Sequence, residues 1–245
     1  MTAFLGMYDI PSLHAANDAF WHEIRSRLDK APPQLNREDD VWDIWRAPDL
    51  VFAQTCGMPY RARLHGQVQL IGTPDYGLPD CPPGYYRSVL IARDIDDDDL
   101  TSYSGKTFAY NEPLSQSGWA GPMTHLASRN VSPANYLQTG AHAASAKAVS
   151  EGKADLAGID ALTWELLVEH GNIDGLKPIA FTEAVPGLPY ITSLSMDADK
   201  VFDAVAQAID ALDKSLRAAL HLNGLVRLPA EDYLAIPTPP PPPSG

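Results

Sequence analysis

Cysteine is nearly absent, with 2 in 245 residues, Cys56 and Cys81. Two are too few for a disulfide scaffold, and they lack the paired Cys-x-x-Cys spacing of a zinc site. The choice left is one optional disulfide in an oxidising compartment or two thiols. Long apolar runs are missing too: none approaches the roughly 18 residues of a membrane-spanning helix. The first residues, Met1 to Asp9, have neither a basic start nor a long apolar stretch, so as given the chain carries no export signal and its compartment stays open. Positive charge is scarce, 18 Lys and Arg against 31 Asp and Glu for a net charge of -13. Such a field repels polyanions and makes nucleic acid and anionic membrane surfaces poor partners. The phosphate loop GxxxxGK[ST], the dinucleotide turn GxGxxG, the zinc helix HExxH and the serine elbow GxSxG are all absent. No catalytic residue, metal ligand or cofactor is therefore expected.

What is present is an ordinary globular composition, 45% hydrophobic and 20% charged, in which short β-rich runs recur between amphipathic stretches. The candidate strands are Ala3–Met7, Leu50–Gln54, Val68–Gly72, Ser88–Ala92, Thr107–Tyr110, Ala154–Ile159, Pro178–Phe181 and Tyr190–Leu194. The helical stretches are Pro11–Leu28, Val41–Arg46, Gly118–Ser128, Ala143–Gly152, Leu162–His170 and Lys200–Ala211. Alternating β and α elements imply an α/β fold with mostly parallel sheets flanked by helices. Two Pro/Gly clusters, Thr73–Gly84 and Val185–Pro189, mark crossings between lobes. The expected division is a discontinuous first lobe, 1–87 plus 190–236, a second lobe, 88–189, and a proline-rich tail, 237–245. The acidic run Asp94–Asp99 reads as a solvated loop, since it lacks the Gly and terminal Glu of a calcium loop. The tail, Pro237-Thr-Pro-Pro-Pro-Pro-Pro-Ser-Gly245, should be an extended polyproline II arm.

Polar groups collect where strands stop. After the strand Thr107–Tyr110 comes Asn111-Glu-Pro-Leu-Ser-Gln-Ser-Gly118, which sets Ser115, Gln116, Ser117 and Gly118 at a helix start. Unpaired N–H groups and the helix dipole there favour an anion, and Gly118 lets a ligand approach the backbone; plain N-capping by Ser115 is the simpler alternative. The next strand end, Asn135 to Thr139, leads through Gly140 into a helix with His142 at its start, an imidazole that can donate to an anion or simply pack. Asp160 ends another strand, where it can orient a ligand or act as a structural partner. Arg87 offers a planar fork for an oxyanion, or a surface salt bridge. Read from composition, a Ser117–His142–Asp160 hydrolase lacks the Gly that should precede such a serine.

Taken in order, Tyr8-Asp9-Ile10-Pro11, Gln54-Thr55-Cys56-Gly57, Gly72-Thr-Pro-Asp-Tyr76, Tyr86-Arg87-Ser88, Asn111-Glu-Pro with Ser115-Gln-Ser-Gly118, Thr139-Gly-Ala-His142 and Ala154-Asp155 through Asp160 resemble the phosphate, phosphite and phosphonate ABC-transporter substrate-binding family. The resemblance runs nearly to the proline tail. It implies the type 2 periplasmic-binding-protein fold, two α/β lobes closing on a small oxyanion, and a periplasmic place of work. It further implies that Ser115, Gln116, Ser117 and His142 hold the phosphorus oxyanion, while Tyr8, Gln54, Thr55 and Tyr86 close over it. The implied partners are the oxyanion and an ABC transporter permease, with the protein a monomer or weak dimer.

Three functions compete. The first is non-catalytic oxyanion binding for an ABC-type uptake system. The second is an enzyme on the same scaffold acting on a small anionic metabolite. The third is a cytoplasmic ligand sensor or an interaction module using the proline tail. Local N–H dipoles and hydroxyls can hold an anion despite the acidic whole, because charges beyond roughly 8 Å are screened at physiological salt.

Overall fold

A computed structural model describes residues 1–170 and 173–243; Ser244 and Gly245, the end of the proline tail, lie outside the described residues. The chain divides into two compact units, Met1–Tyr85 with Pro186–Ala235, and Tyr86–Val185 with Ile236–Gly245. Among the described residues no helix is long and apolar enough to cross a membrane, and Cys56 and Cys81 are thiols rather than a disulfide.

The second unit is built on a five-stranded sheet in the order Asn135–Gln138, Thr107–Tyr110, Leu156–Asp160, Ser88–Arg93, Leu176–Phe181. Successive side chains of a strand point to opposite faces, and here both faces are apolar. Val89, Ile91, Ala109, Ala157 and Ile159 form one core with Ala146 and Val149. Leu90, Ala92, Phe108, Tyr110 and Leu156 form the other with Trp119 and Leu126. Double-sided burial explains why these strands read as continuous hydrophobic runs instead of alternating ones. Gly158 lies where a side chain would not fit: a Cβ there would stand 2.5 Å from Pro122 Cγ and 3.1 Å from the Gly118 carbonyl oxygen. The Gln116–Ala120 turn can therefore press directly on the sheet.

The first unit's sheet runs Thr2–Phe4, Leu50–Gln54, Tyr190–Ser193, Val68–Asp75, Gly224–Val226. Its core gathers Ile44, Trp45, Leu50, Ala53, Tyr60, Leu64, Val68, Ile191 and Tyr233. The buried Tyr233 hydroxyl shares a 2.6 Å hydrogen bond with Thr73 Oγ1, so its polar tip is satisfied inside the core.

The sheets are mixed, where the alternating pattern implies mostly parallel ones. Thr107–Tyr110 pairs in parallel with both of its neighbours, but Ser88–Arg93 runs against both of its own. Tyr190–Ser193 likewise runs antiparallel to Leu50–Gln54 and Val68–Asp75. Each reversed inner strand is the first strand of a five-stranded sheet that the chain forms after passing from one unit to the other. It is not reached through a helical crossover from its own sheet, so the rule that makes such strands parallel does not bind it. The acidic run is also accounted for: Asp96 pairs with Arg93, Asp98 with Lys177, and Asp99 caps the turn Leu100–Tyr103 by accepting from the Thr101 amide.

Candidate functional site

Two strand ends of the second unit carry the best-formed polar cluster. Beyond Tyr110 the chain makes a wide helical turn over Gln116–Ala120 before the regular helix Gly121–Ser128. Turns of this π type occur often at functional sites. Ser115 opens it, its Oγ accepting from the Gly118 amide at 2.9 Å. The hydroxyl keeps its own proton for donation, so capping and ligand binding are compatible. A Cβ on Gly118 would fall 1.9 Å from Asn111 Oδ1, so the Asn111 side chain holds its place because residue 118 is a glycine. Ser115, Gln116 and Ser117 are all buried.

The second strand end is tied to the first. The Thr139 amide donates to the Tyr110 carbonyl at 2.9 Å and the Gly140 amide to the Asn111 carbonyl at 3.0 Å. Thr139 Oγ1 lies 2.7 Å from Ser145 Oγ. Gly140 has φ +83, a left-handed conformation that glycine adopts without strain, and it turns the chain into the helix His142–Ser150. His142 is thus set at the first position of that helix, with Nε2 3.0 Å from Ser117 Oγ. The two helix starts that the sequence singles out do meet.

His142 is half-buried as a residue, yet its Nδ1 is sealed from solvent and makes no hydrogen bond of normal geometry among the described residues. Burial pushes the ring's pKa down to about 4, with the Gly158 backbone pulling weakly the other way. At neutral pH the ring is uncharged, one nitrogen donating and the other accepting. When Nε2 donates to Ser117 Oγ, the serine proton is left to point at a ligand.

The lowered pKa fixes a sign. Between about 4 and the ordinary value of 6.5 the unfolded chain binds a proton that the folded chain does not. Stability therefore rises with pH across that window and is lost on acidification, by at most about 1.4 kcal/mol per pH unit. Urea melts of the ligand-free protein at pH 4.5 and 7 should show a smaller difference for His142→Gln than for the wild type. Equal differences would refute a neutral, buried imidazole.

Asp160 is buried and caps the helix Ala161–Glu169, its Oδ1 accepting from the Thr163 amide at 3.0 Å. Arg87 lays its guanidinium over the Phe181 ring at 4.2 Å, a stacking contact. Tyr86 is buried in the same unit. Glu112 is turned to Gln138, whose Nε2 donates to it at 3.1 Å.

In the first unit, Gln54 Nε2 donates to the Tyr76 hydroxyl at 2.8 Å and to the Leu188 carbonyl at 3.3 Å. The Tyr8 ring stands edge-on to Tyr76 with centroids 5.3 Å apart. Thr55 Oγ1 is buried without a partner among the described residues. Tyr8, Gln54 and Tyr76 are therefore one group. Sequence reasoning missed Tyr76 as a site candidate although it closes the Gly72–Tyr76 stretch. It also missed Asn111, whose buried Oδ1 has no partner among the described residues.

Comparison with known proteins bears on the fold and the family. PhnD1 from Prochlorococcus marinus, solved in complex with methylphosphonate, superposes with a TM-score of 0.73 at 16% identity, covering 95% of this chain and 94% of that one. A binding-protein component of an ABC phosphonate transporter from Pseudomonas aeruginosa gives 0.70 at 18% identity, covering 95% and 83%. MatC from Rhodopseudomonas palustris with bound malate gives 0.66 at 12% identity, covering 96% of each chain. At these identities the likeness establishes the two-lobed periplasmic-binding-protein fold, and the malate complex shows that the fold alone does not choose the ligand. No curated protein matches the sequence. Residues 49–233, however, match the family described as ABC transporter, phosphonate, periplasmic substrate-binding protein, and the chain belongs to that family of solute-binding proteins.

Proposed function

We propose that the protein binds a small tetrahedral oxyanion, a phosphonate or phosphate, without transforming it, and delivers it to an ABC transporter permease. The observation that carries this reading is the 3.0 Å contact between Ser117 and His142 at two neighbouring helix starts, which concentrates hydroxyl, imidazole and amide donors at one point. Ser115, Gln116 and Gly118 complete the anion-facing turn. Tyr8, Gln54, Thr55 and Tyr86, with Tyr76, are proposed as further ligand groups, and Arg87 and Asp160 as groups that tune charge and orientation. Affinity comes from replacing the anion's hydration shell with donors held in place, which is compatible with a net charge of -13.

The same pair argues against a hydrolase. A general base works best with a pKa near the working pH, and His142 is pushed down to about 4. Its Nδ1 also lacks a hydrogen-bonded carboxylate among the described residues, the group that orients the imidazole of a serine triad. Titration calorimetry of the wild-type protein with methylphosphonate, phosphate, phosphite and sulfate tests the proposal. Saturable binding of at least one phosphorus oxyanion, more tightly than sulfate, is expected. Binding of none would overturn it.

A further inference from the structure

The proline tail is not a free arm. From Ile236 onward it groups with the second unit, and its exposure repeats every third residue: Ile236, Pro239 and Pro242 are half-buried, while Pro237, Thr238, Pro240, Pro241 and Pro243 are exposed. A period of three is that of the polyproline II helix, and it means that one edge of such a helix lies along a surface for roughly 22 Å. The anchor is Trp119, whose Nε1–H donates to the Pro240 carbonyl at 3.0 Å. The indole is 3% exposed and is wedged between Tyr110 and Tyr136, with ring centroids 4.9 and 5.3 Å away. A buried indole needs an acceptor for its one polar hydrogen. An aromatic cradle presenting such a donor is also how proline-rich segments are held by recognition domains.

Trp119 belongs to the same turn as Ser117 and follows Gly118 directly, and its amide donates to the Ser115 carbonyl at 3.2 Å. We infer that the proline tail is a built-in polyproline ligand of the Trp119 cradle, which holds the Ser115–Ala120 turn in its binding geometry. The effect on anion affinity rests on the function proposed above; the clamp itself does not.

The test compares the full chain with a chain ending at Ile236 and with Trp119→Phe, which keeps a ring but loses the donor. In the full chain the Trp119 indole N–H should give a protected NMR resonance, identified by its loss in Trp119→Phe. In the truncated chain that resonance should move and broaden, and the amides of residues 116–121 should exchange about fivefold faster, the equivalent of one ordinary hydrogen bond. Methylphosphonate affinity should fall by a similar factor, and a Pro237–Gly245 peptide supplied at millimolar concentration should restore all three. If the truncated chain does not fold, Trp119→Phe supplies the answer through faster cleavage of the tail by a proline-specific endopeptidase in the otherwise full-length protein. An unchanged indole resonance, or a shifted one with unchanged exchange, overturns the inference, as does an uncleaved tail in Trp119→Phe. If the full chain binds no phosphorus oxyanion, the function fails while resonance and exchange still decide on the clamp.

Discussion

Replacing Ser117 by alanine should weaken methylphosphonate binding by about 10- to 150-fold. The hydroxyl's described side-chain partner is His142 Nε2, at 3.0 Å; in the tautomer that carries its proton on Nε2, the hydroxyl accepts from the imidazole and donates to an anionic oxygen. A hydrogen bond to a charged group contributes roughly 1.5–3 kcal/mol, and each 1.4 kcal/mol is a factor of ten. Stability should change far less. His142 loses one partner at a half-buried position, worth about 1 kcal/mol, or some 2–4 °C in a chain of this size. Ser117→Thr, which keeps the hydroxyl, should recover part of the affinity. Calorimetry of the three proteins against methylphosphonate decides it, and an unaltered affinity in Ser117→Ala would remove Ser117 from the site.

Gly118→Ala should do more damage than its single methyl suggests. The new Cβ would meet Asn111 Oδ1 at 1.9 Å and Ser115 Oγ at 3.1 Å, so either Asn111 leaves its place or the turn opens and the Ser115 cap on the Gly118 amide is lost. Overpacking typically costs about 1–3 kcal/mol and a lost cap about 0.5–2 kcal/mol. Since one cost or the other applies, the melting temperature should fall by about 2–12 °C, and anion binding should weaken with it. The cause can be isolated. Asn111→Ala removes the clashing oxygen, so the double variant Asn111→Ala/Gly118→Ala should melt well above Gly118→Ala alone. A purely additive loss would show that the clash with Asn111 is not the reason for the glycine.

The parts of the fold legible in the sequence are those whose signal is local. Leu50–Gln54 and Thr107–Tyr110 have the bounds that their apolar runs suggest, and Ser88–Arg93 differs from its expected span by one residue. Leu156–Asp160 starts later than Ala154; just ahead of it Asp155 joins Thr107 through both its amide, donating to the Thr107 carbonyl at 2.9 Å, and its Oδ2, accepting from the Thr107 amide at 3.0 Å. The missed elements are short or half-exposed: the helices Lys214–Ala219 and Ala230–Leu234 and the edge strand Gly224–Val226 are each too brief for periodicity to register. Strand direction was illegible because it depends on where the chain changes unit, not on any run of residues.

The site follows the same logic. Ser-x-Ser-Gly after one strand and Gly-x-His after the next are local signals, and Ser117 and His142 do touch. Asn111 was hidden because its importance lies in one distance, from its Oδ1 to the space beside Gly118. Tyr76 was hidden because its link to Gln54 spans 22 positions of chain. The tail's edge-on seat on the second unit could not be read either, since nothing in a run of prolines says which indole will satisfy its carbonyls.

The reversed strand Tyr190–Ser193 has a consequence for biosynthesis. It fills the slot between Leu50–Gln54 and Val68–Asp75, so a nascent chain that has not yet reached Ser193 cannot finish the sheet to which its own beginning belongs. More than a hundred residues are added between Asp75 and Tyr190, about 5–20 s at ordinary elongation speeds. During that time residues 86–185 already contain every strand of their own sheet. The middle of the polypeptide is thus equipped to mature before either flank, and the amino-terminal strands wait with open hydrogen-bonding edges until the ribosome supplies their missing neighbour.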